Sequence, residues 1–185
     1  IINKIDSADI GMAYSMNPYQ GCEHGCIYCY ARNSHQYWGY SAGIDFESKI
    51  IVKKNAAQLL AKAFENPNWK PHPIMFAGNT DCYQPAERKF KLTRTMLEVC
   101  LKYCNPVSMI TKNSLILRDL DLLKEMSALN LVHVSVSINS LTEDIREKLE
   151  PRTTTMKQRL KIVEVLSANG IPVNVMVAPI IPGLT

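Results

Sequence analysis

Residues 131–139 constrain the fold more than any other stretch. In an extended segment, Val132, Val134, Val136 and Ile138 share one face, and Leu131, His133, Ser135, Ser137 and Asn139 share the other. A strand in a doubly wound parallel sheet is covered by helices on both sides and reads as continuously apolar. Here the flanking segments imply a buried strand, yet one face is polar. A β/α barrel reconciles the two, with the valines under outer helices and the polar set in the lumen. The segment 107–112 agrees, because its alternate set Ser108, Ile110 and Lys112 puts a lysine at the carboxyl end. Active sites of β/α barrels sit at that end of the strands. Asp81, Lys112, Ser137 and Asn139 would therefore ring one mouth.

The rest of the chain alternates in the same way. Strands are expected at 14–20, 46–53, 74–78, 107–111, 131–138 and 172–180, and helices at 55–65, 86–104, 115–129, 141–149 and 157–169. Gly170 stops the last helix. This order implies an α/β fold of parallel units with right-handed crossovers. The first dozen residues carry no strong signal. Residues 33–46 read as a loop whose Tyr37, Trp38 and Tyr40 plug the barrel bottom rather than stack on a base.

Into this frame the sequence sets Cys22, Cys26 and Cys29, spaced C-x3-C-x2-C in a loop opened by Asn17-Pro18-Tyr19-Gln20-Gly21. Thiolates are the natural ligands of iron–sulfur clusters. A four-iron cluster held by three cysteines leaves one iron open to a small molecule. Zinc is the first alternative, but structural zinc sites pair two C-x2-C knuckles and the second is missing. A disulfide framework calls for an oxidising compartment and a smaller chain.

The chain has 185 residues, enough for one core, with 46% hydrophobic and 21% charged residues. No apolar run approaches the roughly 18 residues of a membrane helix. Six cysteines without a secretion signal point to a reducing cytoplasm. The net charge of +4 allows a nucleic-acid partner without demanding one. The missing initiator Met and the abrupt end at Gly183-Leu184-Thr185 suggest a piece of a longer protein, residues 1–185 forming one core domain.

The cysteine motif, with Tyr28 just before its last member, resembles the signature of the radical S-adenosylmethionine (SAM) superfamily. That resemblance implies a [4Fe-4S] cluster on Cys22, Cys26 and Cys29, SAM on the open iron, and reductive cleavage to a 5′-deoxyadenosyl radical. It implies a TIM-like (β/α)6 barrel, here partial and truncated after about the fifth strand. It also implies an external flavodoxin- or ferredoxin-like electron donor. Thr80-Asp81, Ile110-Thr111-Lys112, Ser137-Ile138-Asn139-Ser140, Glu150-Pro151, Arg159-Leu160 and Val177-Ala178-Pro179-Ile180 are similar to the spore photoproduct lyase family, the DNA repair photolyase-like branch. By that resemblance Tyr28 lies near the adenine, Thr80, Asp81 and Ser137 contact SAM, Lys112 pairs with the methionine carboxylate, and Asn139 contacts ribose or methionine. The implied substrate is a nucleic-acid lesion. Two alternatives stay open: a radical SAM enzyme acting on a peptide, tRNA or small metabolite, and a non-catalytic metal-cluster or nucleic-acid-binding module. Where the lyase carries a hydrogen-donating cysteine this chain has Gly78, which makes Cys82 a candidate displaced donor and Tyr83 a second.

Other residues read as structural. Cys100 and Cys104 fall on an apolar helix stripe, and His24 reads as a hydrogen-bonding loop residue. His133 is either a lumen group or a satisfied core histidine. Arg88, Lys89, Lys91 and Arg94 read as a solvated face, and Glu150-Pro151-Arg152 as a turn.

Overall fold

The computed structural model of the chain describes residues 1–6 and 11–185. Strand β1 (Ile2–Lys4) runs antiparallel to β2 (Tyr14–Met16) at one sheet edge. Beyond β2 lies a two-stranded pair, β3 (Tyr19–Gln20) with β4 (Ile51–Val52), which frames the cysteine loop. Between them come a 3-10 helix (Tyr30–Trp38) and α1 (Asp45–Ser48). Helix α2 (Ala56–Phe64) leads to β5 (Ile74–Phe76), and α3 (Ala86–Phe90) and α4 (Leu92–Lys102) lead to β6 (Val107–Thr111). A second 3-10 segment (Ser114–Asp119) runs into α5 (Leu120–Ala128), then β7 (Val132–Ser137). Helices α6 (Glu143–Leu149) and α7 (Met156–Ala168) precede β8 (Val173–Met176).

The sheet order is β1-β2-β5-β6-β7-β8, and every pairing from β2 to β8 is parallel. Five parallel strands in sequence order form the open barrel segment that the alternation implies. Register shows which side chains share a face. Ser15, Met75, Ser108 and His133 lie in one row, Ile110, Ser135 and Asn174 in the next, and Ser137 and Met176 in the last. The Ser135 hydroxyl donates to the Asn174 side-chain oxygen at 2.7 Å across this inner face. On the outer face Met16, Phe76, Met109 and Val134 are fully buried against Leu60 of α2, Met96, Leu97 and Cys100 of α4, Leu123 of α5, and Ile162 and Leu166 of α7. Each such apolar side chain contributes about 1.5–3 kcal/mol through burial.

Several expected elements break, each for a local reason. The strand expected at 14–20 divides at Asn17-Pro18, since proline cannot donate to a ladder. Residues 46–53 divide into the end of α1 and β4. The helix expected at 86–104 breaks at Lys91, whose φ of 51° is left-handed, because the buried Glu87 carboxylate accepts the Thr93 N–H at 3.0 Å and caps α4. Residues 33–38, expected as loop, belong to the 3-10 helix Tyr30–Trp38, closed by Gly39 at φ 77°. Tyr37, Trp38 and Tyr40 do not plug the barrel: they are exposed, with Tyr37 at 86%. His133 is exposed at the amino end of β7, and Cys104 is exposed while Cys100 is core. No described helix is long and apolar enough to cross a membrane.

Candidate cluster and cofactor site

Residues 21–29 have no regular structure, and their backbone is held from several sides. Cys22 N–H donates to the Phe46 carbonyl at 2.8 Å. Gln84 clasps the loop with both ends of its amide, donating to the Gly21 carbonyl at 3.0 Å and accepting from Glu23 N–H at 3.1 Å. Ile27 N–H donates to the Leu149 carbonyl at 3.0 Å, and Arg152 N–H to the His24 carbonyl at 3.2 Å. Gly25 has φ 68°, and a Cβ there would run into the Arg152 guanidinium. A turn this confined, in the left-handed region, requires glycine.

The three thiols are free of disulfides; Cys22 is buried, Cys26 and Cys29 half-buried. Burial pushes the Cys22 thiol up to about 12 and the Cys26 thiol up to about 11. Metal loading must therefore displace protons from them, as thiolate coordination always does. Among the described residues no three His, Cys, Asp or Glu side chains converge on a single-ion site. A multi-iron cluster takes each thiolate on a different iron, so its ligands stand further apart than those of one ion.

Cys26 and Cys29 open onto a cavity of about 360 Å³ at the carboxyl ends of the strands. That lies within the roughly 300–1,000 Å³ of small-molecule sites. Each element adds a wall: Tyr28 from the loop, Gly78 to Asp81 after β5, Lys112 after β6, Ser137 from β7, Met176 and Ala178 from and after β8. The Lys112 ammonium stands 6.0 Å from the centre of the Tyr28 ring. Asn139, only 4% exposed just past β7, has no partner for either its amide nitrogen or its oxygen among the described residues. Buried polar atoms are nearly always paired, so this pair marks a place where a polar ligand fits.

Thr80 and Asp81 border the cavity but their side chains are committed elsewhere. Asn17 donates to the Thr80 hydroxyl at 2.6 Å, which in turn donates to the Tyr19 carbonyl at 3.0 Å. The Asp81 carboxylate accepts from the Lys112 N–H at 2.7 Å, the Thr111 hydroxyl at 2.8 Å and the Tyr83 N–H at 2.9 Å. His24 lies 3.5 Å from it and 3.2 Å from the Asn113 amide, fully buried. Burial holds the His24 imidazole below its ordinary range, against the pull of Asp81. Asp81 thus ties the cysteine loop to the end of β6.

The structure brings Cys26, Cys29, Tyr28, Thr80, Asp81, Lys112 and Ser137 to one cavity, whereas Cys22 and Asn139 are buried and do not line it. It does not bring Cys82 or Tyr83 there. Both are fully buried in the main core, and burial drives both side chains well above their ordinary pKa. Glu150-Pro151-Arg152 forms the expected turn, closed by the Thr153 N–H on the Glu150 carbonyl at 3.1 Å. Sequence reasoning missed that Glu150 also forms a fully buried ion pair with Arg159, and that Tyr30 lines the cavity. One signal was present: Arg159 interrupts the apolar stripe of Met156, Ile162 and Leu166.

A family model described as the Radical SAM superfamily matches residues 16–185. An uncharacterized protein of Mycobacterium tuberculosis is 34% identical over 185 residues, covering 100% of this chain and 54% of that protein. One from Methanocaldococcus jannaschii is 33% identical over 174 residues, covering 94% of this chain and 62% of that protein. The chain thus spans little more than half the length of the curated relatives it matches. Among solved structures it is similar to a spore photoproduct lyase variant (TM-score 0.70, 19% identity, 96% of this chain and 48% of that one). A spore photoproduct lyase complexed with dinucleoside spore photoproduct gives TM-score 0.69 at 18% identity, over 97% of this chain and 49% of that one. At such identity these two share the fold.

Proposed function

Because the chain belongs to the radical SAM superfamily, we propose that it is an enzyme that holds a [4Fe-4S] cluster on Cys22, Cys26 and Cys29 and cleaves SAM reductively. The observation that carries this reading is that Cys26 and Cys29 share one cavity with the strand-end groups Lys112 and Ser137. When bound, cluster and SAM supply a 5′-deoxyadenosyl radical for hydrogen abstraction, the electron coming from a flavodoxin- or ferredoxin-like donor. Lys112 offers a compact cation for a carboxylate. Ser137 and Asn139 offer hydroxyl and amide groups to ribose or methionine, and Tyr28 a ring face to the adenine. Thr80 and Asp81 act one step back, fixing the loop and the β6 end. Ile110, Met176 and Pro179 complete an apolar wall that keeps water out.

The substrate class we assign is a nucleic-acid lesion. Two features support it: the fold shared with a lyase solved with dinucleoside spore photoproduct, and the exposed Tyr37 and Trp38, whose faces suit base stacking. Gly78 brings no thiol to the cavity and Cys82 stands outside it, so hydrogen return by a protein cysteine is not part of the proposal. The test is anaerobic. The full-length protein is reconstituted with iron and sulfide, reduced with dithionite and given SAM, beside a Cys26→Ala control. 5′-Deoxyadenosine that depends on Cys26, and rises with lesion-bearing DNA but not with peptide or tRNA, is the expected result. A brown protein that makes none points to a structural or electron-transfer cluster and overturns the reading.

A further inference from the structure

Behind the cavity lies a charged pair that the proposed chemistry does not use. Glu150 and Arg159 are both fully buried, with 2.5 Å between carboxylate and guanidinium. The other Glu150 oxygen accepts a hydrogen bond from the Tyr28 hydroxyl. Arg159 donates to the Ser137 carbonyl at 2.9 Å and the Thr154 carbonyl at 3.0 Å, and also to the Thr153 hydroxyl. One end of the pair therefore grips the residue before Cys29, and the other grips the β7 end that carries Ser137 and precedes Asn139. A buried ion pair is weak evidence for stability, because an apolar pair of equal volume often serves as well. What an apolar pair could not do is accept the Tyr28 hydroxyl and hold a strand-end carbonyl together.

Resting on the functional reading above, we propose that Glu150 and Arg159 are positioning residues. They fix the Tyr28 ring as one wall of the cavity at a set distance from the Ser137 wall. Neither touches the cofactor; both act through Tyr28 and the β7 backbone. The ring so held also faces the Lys112 ammonium, 6.0 Å from its centre.

The test uses reconstituted full-length protein and reads SAM affinity, not turnover. The reduced cluster's EPR spectrum is followed as SAM is titrated in, with iron content and melting temperature measured alongside. Tyr28→Phe removes only the hydroxyl, and Glu150→Gln keeps the shape without the charge. Both should keep their iron and weaken SAM by about tenfold, as loss of an outer partner typically does. The double variant should be no weaker than the worse single one, because both changes cut the same link. Should Glu150→Gln fail to fold, Tyr28→Phe alone decides. Iron-replete Tyr28→Phe with wild-type SAM affinity overturns the proposal, as do losses that simply multiply in the double variant. A wild-type spectrum that ignores SAM overturns the functional reading as well.

Discussion

Replacing Asp81 by asparagine tests the claim that this residue is an anchor rather than a ligand. Its two oxygens receive three donors within 3.0 Å: Lys112 N–H at 2.7 Å, the Thr111 hydroxyl at 2.8 Å and Tyr83 N–H at 2.9 Å. Asparagine has one oxygen and one NH2. Whichever way the amide turns, the NH2 faces a backbone N–H, Tyr83 on one side or Lys112 on the other. One charge-assisted bond is lost, about 1.5–3 kcal/mol, and the stranded donor adds about 1–3 kcal/mol. Because the two overlap, we expect a loss near 3 kcal/mol. For a chain of this size that lowers the melting temperature by about 6–12 °C. The assay is thermal unfolding by circular dichroism on metal-free protein, where SAM plays no part. A melting temperature within ~2 °C of wild type would refute the anchor, and a loss seen only after SAM is added would make Asp81 a ligand.

Gly25→Ala sets a Cβ against Arg152 at a positive φ. The Arg152 side chain must swing away and the alanine must hold a strained positive φ, so iron content after reconstitution should fall below wild type while the far-UV spectrum is kept. Cys82→Ala removes a fully buried sulfur and should cost about 1–2 kcal/mol in urea unfolding. It should leave product formation unchanged, and lost product formation would return Cys82 to the chemistry. Burial raises the Glu47 carboxyl, but hydrogen bonds from Arg32 and Arg152 outweigh this and hold it below its usual 4.5. A depressed carboxyl stabilises above its unfolded pKa, and that share is lost as pH falls through the folded value. The stability gap between wild type and Glu47→Gln should therefore be constant near neutrality and shrink below about pH 4.5; a gap that widens in acid contradicts the assignment.

The barrel was legible because one strand face was polar where its surroundings demanded burial. The register bears this out, since Ser135 and Asn174 meet across the inner face. Local breaks were not legible. Nothing in the spacing of residues 86–104 announces that Glu87 will fold back to cap α4 and turn Lys91 left-handed. The aromatic cluster at 37–40 misled because bulky rings suggest a plug, whereas a 3-10 helix carries them to the surface. In the site, strand-end residues could be placed by periodicity, but their partners could not. The Asp81 carboxylate is committed to Thr111 and Lys112 on a distant segment, the Glu150–Arg159 pair bridges a turn and the helix after it, and the Asn139 amide, unpartnered among the described residues, leaves no mark in the spacing. Cys82 sits one residue from Asp81, yet its side chain is fully buried in the main core. Adjacency in sequence says little about which side of a strand end a side chain takes.

The proposed chemistry stands on three loop thiolates holding a cluster with one iron free for SAM. Mössbauer spectroscopy of 57Fe-reconstituted protein, with and without SAM, tests it most directly. The expected result is a [4Fe-4S] signal in which one iron site alone changes when SAM is added, and loss of the signal in Cys26→Ala. Iron sites that all stay the same with SAM, or a colourless protein that takes up a single zinc, would contradict it.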